Sequence, residues 1–240
     1  MLIGVARSNR GQGLGYTLRL AALFTGGKDS TYAIYRAVRQ GHSVDVLLTV
    51  FPATSESYMF HYPNLHITKL QSESMGIPQL TAHTAGVGDD ELEALKKLMS
   101  QVAGMVEGVL TGAIASNYQR RRIEGIASQL GVVVVSPLWG LDPWSILEGI
   151  LVEEFDVMVT SVSAMGLGEE WLGRMIDRKA VDDLRRLAAK YGINPVGEGG
   201  EMETLVLNCP LFSKRIHILR SKRIWRGDSG YLLIEEAQLI

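Results

Sequence analysis

The stretch Thr25–Ser30 carries the clearest chemical pattern in the sequence. It contains two glycines followed by Lys28 and Asp29, and it joins a run that predicts a β-strand to a run that predicts a helix. Neighbouring glycines let a backbone approach a bound anion closely, and a helix that begins there offers unpaired N–H groups and the positive end of its dipole. We therefore predict that this stretch, hereafter the phosphate loop, binds a polyphosphate. Its binding residues are Thr25, Gly26, Gly27, Lys28, Asp29 and Ser30.

This loop departs from two common nucleotide-binding patterns. The P-loop of many NTPases needs a Gly six positions before its Lys and a Ser or Thr directly after it, but Ala22 and Asp29 stand at those positions. The stretch Gly11–Gly15 misses the dinucleotide-binding pattern, because Tyr16 replaces the third Gly and no predicted strand precedes it. An ordinary strand-to-helix turn, capped by Asp29 or Ser30, remains the alternative interpretation.

The loop resembles the SGGxDS signature of the N-type ATP pyrophosphatases, a superfamily that includes asparagine, GMP and NAD synthetases and several tRNA-modifying enzymes. Thr25 stands in place of the first Ser and keeps a hydroxyl group. In that superfamily the loop holds the β- and γ-phosphates of ATP, so that the α-phosphorus is open to attack. The resemblance implies an enzyme that splits ATP into AMP and pyrophosphate with Mg²⁺, and it suggests Asp29 as the metal ligand.

Three further stretches resemble one branch of this superfamily, the diphthine ammonia ligases, which amidate diphthine on elongation factor 2. These stretches are Ser57–His61, Gly112–Arg120 and Gly197–Thr204. The last contains Met202 where that family usually has Phe, and the whole resemblance spans residues 19 to about 213. It implies adenylation of the diphthine carboxylate by Mg-ATP and attack of ammonia on the acyl-adenylate, with elongation factor 2 and ammonium as partners.

The same stretches predict site residues beyond the phosphate loop. We expect Gly112, Ser116 and Arg120 to contribute to ATP binding, because they follow a predicted strand at the carboxyl edge of the sheet, where open α/β sheets bind ligands. The predicted substrate-binding residues are Tyr58, His61, Glu198, Gly199, Gly200 and Glu201. The predicted catalytic residues are Lys28, Glu201 and Glu203.

The stretch Gly197–Thr204, hereafter the acidic loop, requires a cation beside it if ATP binds nearby. Its three glutamates would otherwise repel a triphosphate. Mg²⁺, ammonium or the trimethylammonium group of diphthine would each suit these carboxylates. A flexible acidic turn without function is the alternative. For the aromatic residues around His61, packing in a sheet or loop is favoured over contact with a quaternary ammonium group.

Two other functions remain open from the sequence. One is a tRNA-modifying ATP pyrophosphatase, of which a thiolating version is disfavoured because Cys209 is the only cysteine. The other is a module that binds ATP as a sensor without turning it over. Release of pyrophosphate would separate the enzyme from the sensor, and a gel shift with tRNA would separate the two enzymes.

The elements that position these residues alternate along the first half of the chain. Strands are predicted at residues 18–24, 44–50, 79–82, 108–110 and 132–135, with helices at 29–40, 65–75, 89–105 and 118–130. This alternation predicts an α/β fold, an open parallel sheet with helices on both faces, like a Rossmann nucleotide-binding fold. The second half predicts a smaller α+β domain with helices at 143–154 and 180–190, a strand at 157–162 and three further β-rich stretches.

We accordingly divide the chain into a tail at residues 1–18, a nucleotide-binding domain at 19–138 and a substrate domain at 139–240. The formal net charge of −2 makes non-specific nucleic-acid binding unexpected. No apolar run approaches the roughly 20 residues that span a bilayer. The lone cysteine fits a reducing compartment. We expect a cytoplasmic protein without a membrane partner, and the sequence leaves open whether it forms a homo-oligomer.

Overall fold

A computed structural model describes residues 16–52, 64–84 and 89–240. Its first half contains a five-stranded parallel sheet in the order β3-β2-β1-β4-β5. The strands are β1 (Arg19–Leu23), β2 (Ser43–Phe51), β3 (Gln79–His83), β4 (Gly108–Leu110) and β5 (Val133–Val135). Because β1 is the central strand, the loop that follows it lies at the middle of the carboxyl edge, where the strand order reverses.

Helices cover both faces of this sheet. They are α1 (Lys28–Arg39), α2 (Thr68–Met75), α3 (Asp89–Val102) and α4 (Asn117–Leu130), and a short 3-10 turn at Leu65–Ile67 precedes α2. Successive residues of β1 face opposite sides. Leu20 shares an apolar cluster with Ile34 of α1, whereas Ala21 shares one with Leu95 of α3 and Ile123 of α4. The predicted α/β fold with helices on both faces is confirmed.

The second half contains a four-stranded antiparallel sheet in the order β7-β6-β9-β8. Its elements are α5 (Pro143–Val152), β6 (Asp156–Val162), a 3-10 turn at Glu169–Trp171, α6 (Arg178–Tyr191), β7 (Met202–Asn208), β8 (Ile216–Trp225) and β9 (Gly230–Leu239). The helices and the sheet share one apolar core. This arrangement confirms the predicted smaller α+β part, and it places β7 at one edge of the sheet.

Two helices end two or more residues earlier than predicted. α3 ends at Val102 rather than near residue 105, because residues 103–105 form a turn. α5 ends at Val152 rather than at residue 154. Glu154 has φ 55°, a left-handed conformation that cannot continue a right-handed helix. Capping explains the other ends well, since left-handed glycines follow α2, α4 and α6.

The two halves of the chain pack against each other through α1. The ring centroids of Tyr32 and Tyr35 lie 5.5 and 5.6 Å from that of Phe155, in edge-to-face geometry. Such pairs each add about 0.5–1.5 kcal/mol beyond their apolar burial. Tyr35 also donates a hydrogen bond to the Glu153 carboxylate, which raises the pKa of the Tyr35 hydroxyl. Helix α1 therefore joins the second half to the phosphate loop at its own N-terminus.

The predicted domain division between residues 138 and 139 stays a prediction, because the apolar cluster at α1 runs continuously into the second sheet. Most of the predicted tail at residues 1–18 lies outside the described residues. Among the described residues, no helix combines the length and the apolar character that a membrane span requires.

Candidate active site

A cleft opens at the carboxyl edge of the parallel sheet. The phosphate loop and the segment after β4 form one side, and the acidic loop and the start of β7 form the other. The predicted site residues that line it are Thr25, Gly27, Lys28, Asp29, Ser30, Gly112, Ser116, Glu198 and Glu203. The structure thus brings residues that lie some 170 positions apart, such as Lys28 and Glu198, into one cleft.

Hydroxyl groups and one left-handed glycine shape the phosphate loop. Gly26 has φ 77°, which residues other than glycine rarely adopt. Ser30 Oγ and Thr31 Oγ1 donate to the Gly27 carbonyl oxygen at 3.2 and 2.8 Å. Gly27 is the N-cap of α1 and has no side chain to cap it, while Thr204 Oγ1 of β7 accepts the Lys28 N–H at 3.1 Å. The interpretation of the loop as a turn capped by Asp29 or Ser30 is therefore disfavoured, and the positive end of the α1 dipole suits an anion.

Lys28 and Asp29 place opposite charges at the floor of the cleft. Lys28 is buried, with 2% of its side chain exposed, and its Nζ lies 2.9 Å from Asp29 Oδ2. The same ammonium group donates to the carbonyl oxygen of Val196, just before the acidic loop. Asp29 Oδ1 is buried without a hydrogen-bond partner among the described residues. A hard oxygen in this position fits Mg²⁺, which is often held by one or two carboxylates together with phosphate oxygens.

A larger cluster of metal ligands is absent from the described part of the chain. No three His, Cys, Asp or Glu residues within it come together in a way that would hold a metal ion.

The segment after β4 approaches the phosphate loop closely. A Cβ atom added to Gly112 would lie 2.7 Å from the backbone of Asp29 and Ser30, so a residue with a side chain would displace the first turn of α1. Ser116 begins α4 by accepting the Gln119 N–H at 3.4 Å. These contacts explain why a glycine and a serine occur here, and they leave both residues beside the cleft.

Arg120 lies away from this cleft, although the sequence suggested it for ATP binding. Its guanidinium carbon lies 4.5 Å from the ring centroid of Trp139, and its Nε lies 2.6 Å from Glu124 Oε1. It does not belong to the cleft lining formed by the described residues. Contact between Arg120 and ATP stays a prediction.

The glutamates of the acidic loop have different contacts. Glu198 Oε1 accepts the backbone N–H groups of Ala115 and Ser116, both at 2.7 Å. Its negative charge thereby lies at the N-terminus of α4, where the helix dipole favours it. Glu198 thus connects the acidic loop to the segment after β4.

Glu201 faces its own loop. Its Oε1 accepts the Asn194 N–H at 2.9 Å, and its Oε2 accepts the Gly199 N–H at 2.8 Å. Within the described residues it does not line the cleft, whereas Glu203 does. Gly200 has φ 85°, so the loop needs glycine there to make its turn. Among the predicted catalytic carboxylates, Glu203 is therefore the one placed beside the phosphate loop.

The sequence did not predict the hydrogen bonds that join the phosphate loop to β7. Thr204 Oγ1 accepts the Lys28 N–H at 3.1 Å, and the Val206 N–H donates to the Gly26 carbonyl oxygen at 3.0 Å. These contacts join residues about 180 positions apart, which no local pattern indicates. Tyr58 and His61 lie outside the described residues, and their roles stay predictions.

Cys209 is unsuited to nucleophilic catalysis. Burial raises the pKa of its thiol to about 12, and the residue is 3% exposed. Because the thiolate is the reactive form of cysteine, the thiol stays neutral and unreactive at ordinary pH.

Comparisons with known proteins support one family. A model of the diphthamide synthase N-terminal domain matches residues 18–134, and a model of its C-terminal domain matches residues 142–240. The chain is 33% identical over 235 residues to the diphthine–ammonia ligases of Bos taurus and Homo sapiens, which covers 89% of this chain and 88% of each relative. It is also 33% identical to the diphthine–ammonia ligase of Schizosaccharomyces pombe, of which it covers 38%.

A solved structure shows a weaker likeness. The predicted subunit of tRNA methyltransferase from Methanocaldococcus jannaschii overlaps with a TM-score of 0.42 at 13% identity, covering 80% of this chain and 97% of that chain. A likeness at this level supports no inference about function.

Proposed function

Because the chain belongs to the diphthamide synthase family, we propose that it catalyses the ATP-dependent amidation of diphthine on elongation factor 2. The proposed co-substrates are Mg-ATP and ammonium, and the proposed products are AMP, pyrophosphate and the amide. We further infer that residues 19–138 bind the nucleotide and that residues 139–240 contribute the contacts to the protein substrate.

One observation supports this function best: an anion-binding loop and an acidic loop line the same cleft. The N-terminus of α1, which begins directly after the two glycines, favours phosphate. Glu203, on the other side, favours a cation, whereas Glu198 is hydrogen-bonded to the N-terminus of α4. Diphthine combines a carboxylate with a quaternary ammonium group, and ammonium is itself a cation. A cleft with this division of charge suits ATP on one side and a cationic substrate on the other.

The proposed reaction has two steps. A carboxylate oxygen of diphthine attacks the α-phosphorus of ATP, and the bond from that phosphorus to the bridging oxygen breaks, so that pyrophosphate leaves. Ammonia then attacks the acyl carbon, the bond to the AMP oxygen breaks, and the nitrogen loses a proton. No bond to the protein is needed, and the chain contributes positioning and stabilisation of charge.

Lys28 and Asp29 have distinct proposed roles in the first step. The Lys28 ammonium has three N–H donors. Asp29 and the Val196 carbonyl engage two of them, so we assign the third to a phosphate oxygen. Asp29 Oδ1 would hold Mg²⁺, which neutralises charge on the phosphates when bound. Both side chains therefore act on the leaving pyrophosphate.

The test is amidation of purified elongation factor 2 that carries diphthine, with ATP and ¹⁵N-ammonium. Peptide mass spectrometry after digestion should find the label in the peptide that carries diphthine, and only when ATP is present. Absence of the ¹⁵N label from this peptide after the complete reaction would contradict the proposed function. A reaction with tRNA in place of elongation factor 2 serves as the control for the tRNA-modifying alternative.

A further inference from the structure

The phosphate loop is hydrogen-bonded to the outer edge of β7. In the order β7-β6-β9-β8, β7 is an edge strand, and edge strands present backbone groups that need partners. The Val206 N–H donates to the Gly26 carbonyl oxygen at 3.0 Å, and Thr204 Oγ1 accepts the Lys28 N–H at 3.1 Å. The phosphate loop of the parallel sheet therefore provides hydrogen-bond partners for the edge strand β7 of the antiparallel sheet.

Gln71 of α2 contacts both the phosphate loop and β7. It is completely buried, and its Nε2 donates to the carbonyl oxygens of Gly26 and Val206 at 2.9 and 2.8 Å. Both amide N–H groups of Gln71 are thus used, one on the phosphate loop and one on β7. The side chain also lies against the left-handed turn, because a Cβ atom at Gly26 would lie 2.2 Å from Gln71 Oε1.

We propose that Gln71 is a positioning residue of the nucleotide site, which acts through Gly26 and Val206 to hold the phosphate loop against β7. β7 begins at Met202, within the acidic loop. One strand therefore carries the acidic loop at its start and the anchor of the phosphate loop two to four residues later. By fixing this anchor, Gln71 fixes the separation between the two loops that face each other across the cleft. This inference rests on the proposed function, because it takes the phosphate loop to be the site that binds ATP.

The first test compares Gln71→Met with Ser74→Ala. Methionine is unbranched and flexible enough to fill the same space but has no amide donors. Ser74 is a matched control, because it also lies buried on α2 and also bonds the second half of the chain, through Lys214, without touching the phosphate loop. Calorimetric titration should show a Kd for ATP at least about tenfold higher in Gln71→Met and within about twofold of wild type in Ser74→Ala, whatever the change in Tm of either variant.

The second test needs no nucleotide. Hydrogen exchange measured by mass spectrometry should be faster for the amides of residues 25–30 in Gln71→Met than in wild type, and unchanged there in Ser74→Ala. If Gln71→Met fails to fold, Thr204→Val tests the same anchor from the side of β7. Thr204→Val should weaken ATP binding, whereas Thr204→Ser, which keeps the hydroxyl acceptor, should bind ATP as the wild type does.

These outcomes separate the two proposals. Wild-type Kd and wild-type exchange in Gln71→Met would overturn the role of Gln71 while leaving the amidation reaction intact. Equal Kd values for Thr204→Val and Thr204→Ser would overturn the β7 anchor on which that role depends. Failure of the wild-type protein to bind ATP would instead overturn the proposed function, and the exchange rates of residues 25–30 would still decide whether Gln71 holds the loop.

Discussion

Individual carboxylates in the cleft region differ in what they contact, and this sets their expected roles. Glu198 reaches across to the N-terminus of α4, whereas both oxygens of Glu201 accept backbone N–H groups near or within the acidic loop. Asp29 keeps one buried oxygen without a partner among the described residues. Glu201 is therefore expected to act by shaping the loop, and Asp29 by binding a metal ion.

The substitution Glu201→Gln should reduce amidation about tenfold while changing the Kd for ATP by less than about twofold. The new amide nitrogen would face a backbone N–H where a carboxylate oxygen had accepted it, so one hydrogen bond is lost and the acidic loop shifts. Amidation rates and ATP titrations measure the two effects. Glu236→Gln, at an exposed position of β9, is the control. Unaltered amidation by Glu201→Gln would favour the alternative interpretation, in which the acidic loop is a turn without function.

The substitution Asp29→Asn should raise the Mg²⁺ concentration needed for half-maximal AMP formation by about tenfold or more, because a neutral amide is a weaker ligand for a hard cation. Removal of Mg²⁺ by a chelator should abolish AMP formation by the wild-type protein. Magnesium titrations of the two proteins provide the measurement. Overlapping titration curves would show that Asp29 is not the metal ligand.

At the scale of elements, the sequence predicted the parts that depend on local pattern. The strand-loop-helix unit around Gly26 followed from an apolar run, adjacent glycines and a helical pattern. The alternation of strands and helices likewise predicted the parallel sheet. The contacts of Lys28 with Val196 and Thr204, and of Gln71 with Gly26, could not be predicted. They depend on how two sheets pack, and no spacing in the chain encodes that packing.

The phosphate loop tolerates no side chain at its left-handed glycine. In Gly26→Ala the backbone at φ 77° is strained by about 1–2 kcal/mol, and the new Cβ would lie 2.2 Å from Gln71 Oε1. We expect AMP formation to fall by about a hundredfold, as measured by chromatography of the nucleotides. Gly104→Ala is the control, since a Cβ atom there meets nothing within 4 Å. Equal rates for the two variants would contradict the loop assignment.

At the scale of the whole molecule, the cleft exists because two sheets are held together across α1. Tyr32 and Tyr35 enclose Phe155, and this contact belongs to the core of the second half. The phosphate loop lies at the N-terminus of α1, the helix that carries Tyr32 and Tyr35. The relative position of the two loops therefore depends on packing well outside the cleft.

Truncation of this packing should destabilise the whole chain. Phe155→Ala should lower the free energy of unfolding by about 3–5 kcal/mol, through lost burial and a cavity beside two aromatic rings. Urea denaturation followed by circular dichroism measures the change. Met105→Ala is the control, since Met105 is 62% exposed and should change stability by less than about 0.5 kcal/mol. A similar small change for Phe155→Ala would mean that the two halves are held together by other contacts.

The most direct measurement of the central claim is the stoichiometry of products in one reaction that contains the wild-type protein, elongation factor 2 bearing diphthine, Mg-ATP and ammonium. AMP and pyrophosphate are quantified by chromatography, and the amide by peptide mass spectrometry. We predict equal amounts of AMP, pyrophosphate and amide, and about a hundredfold slower formation of all three by Gly26→Ala. ADP and orthophosphate as the main nucleotide products, or AMP formed without any amide, would contradict the proposed reaction.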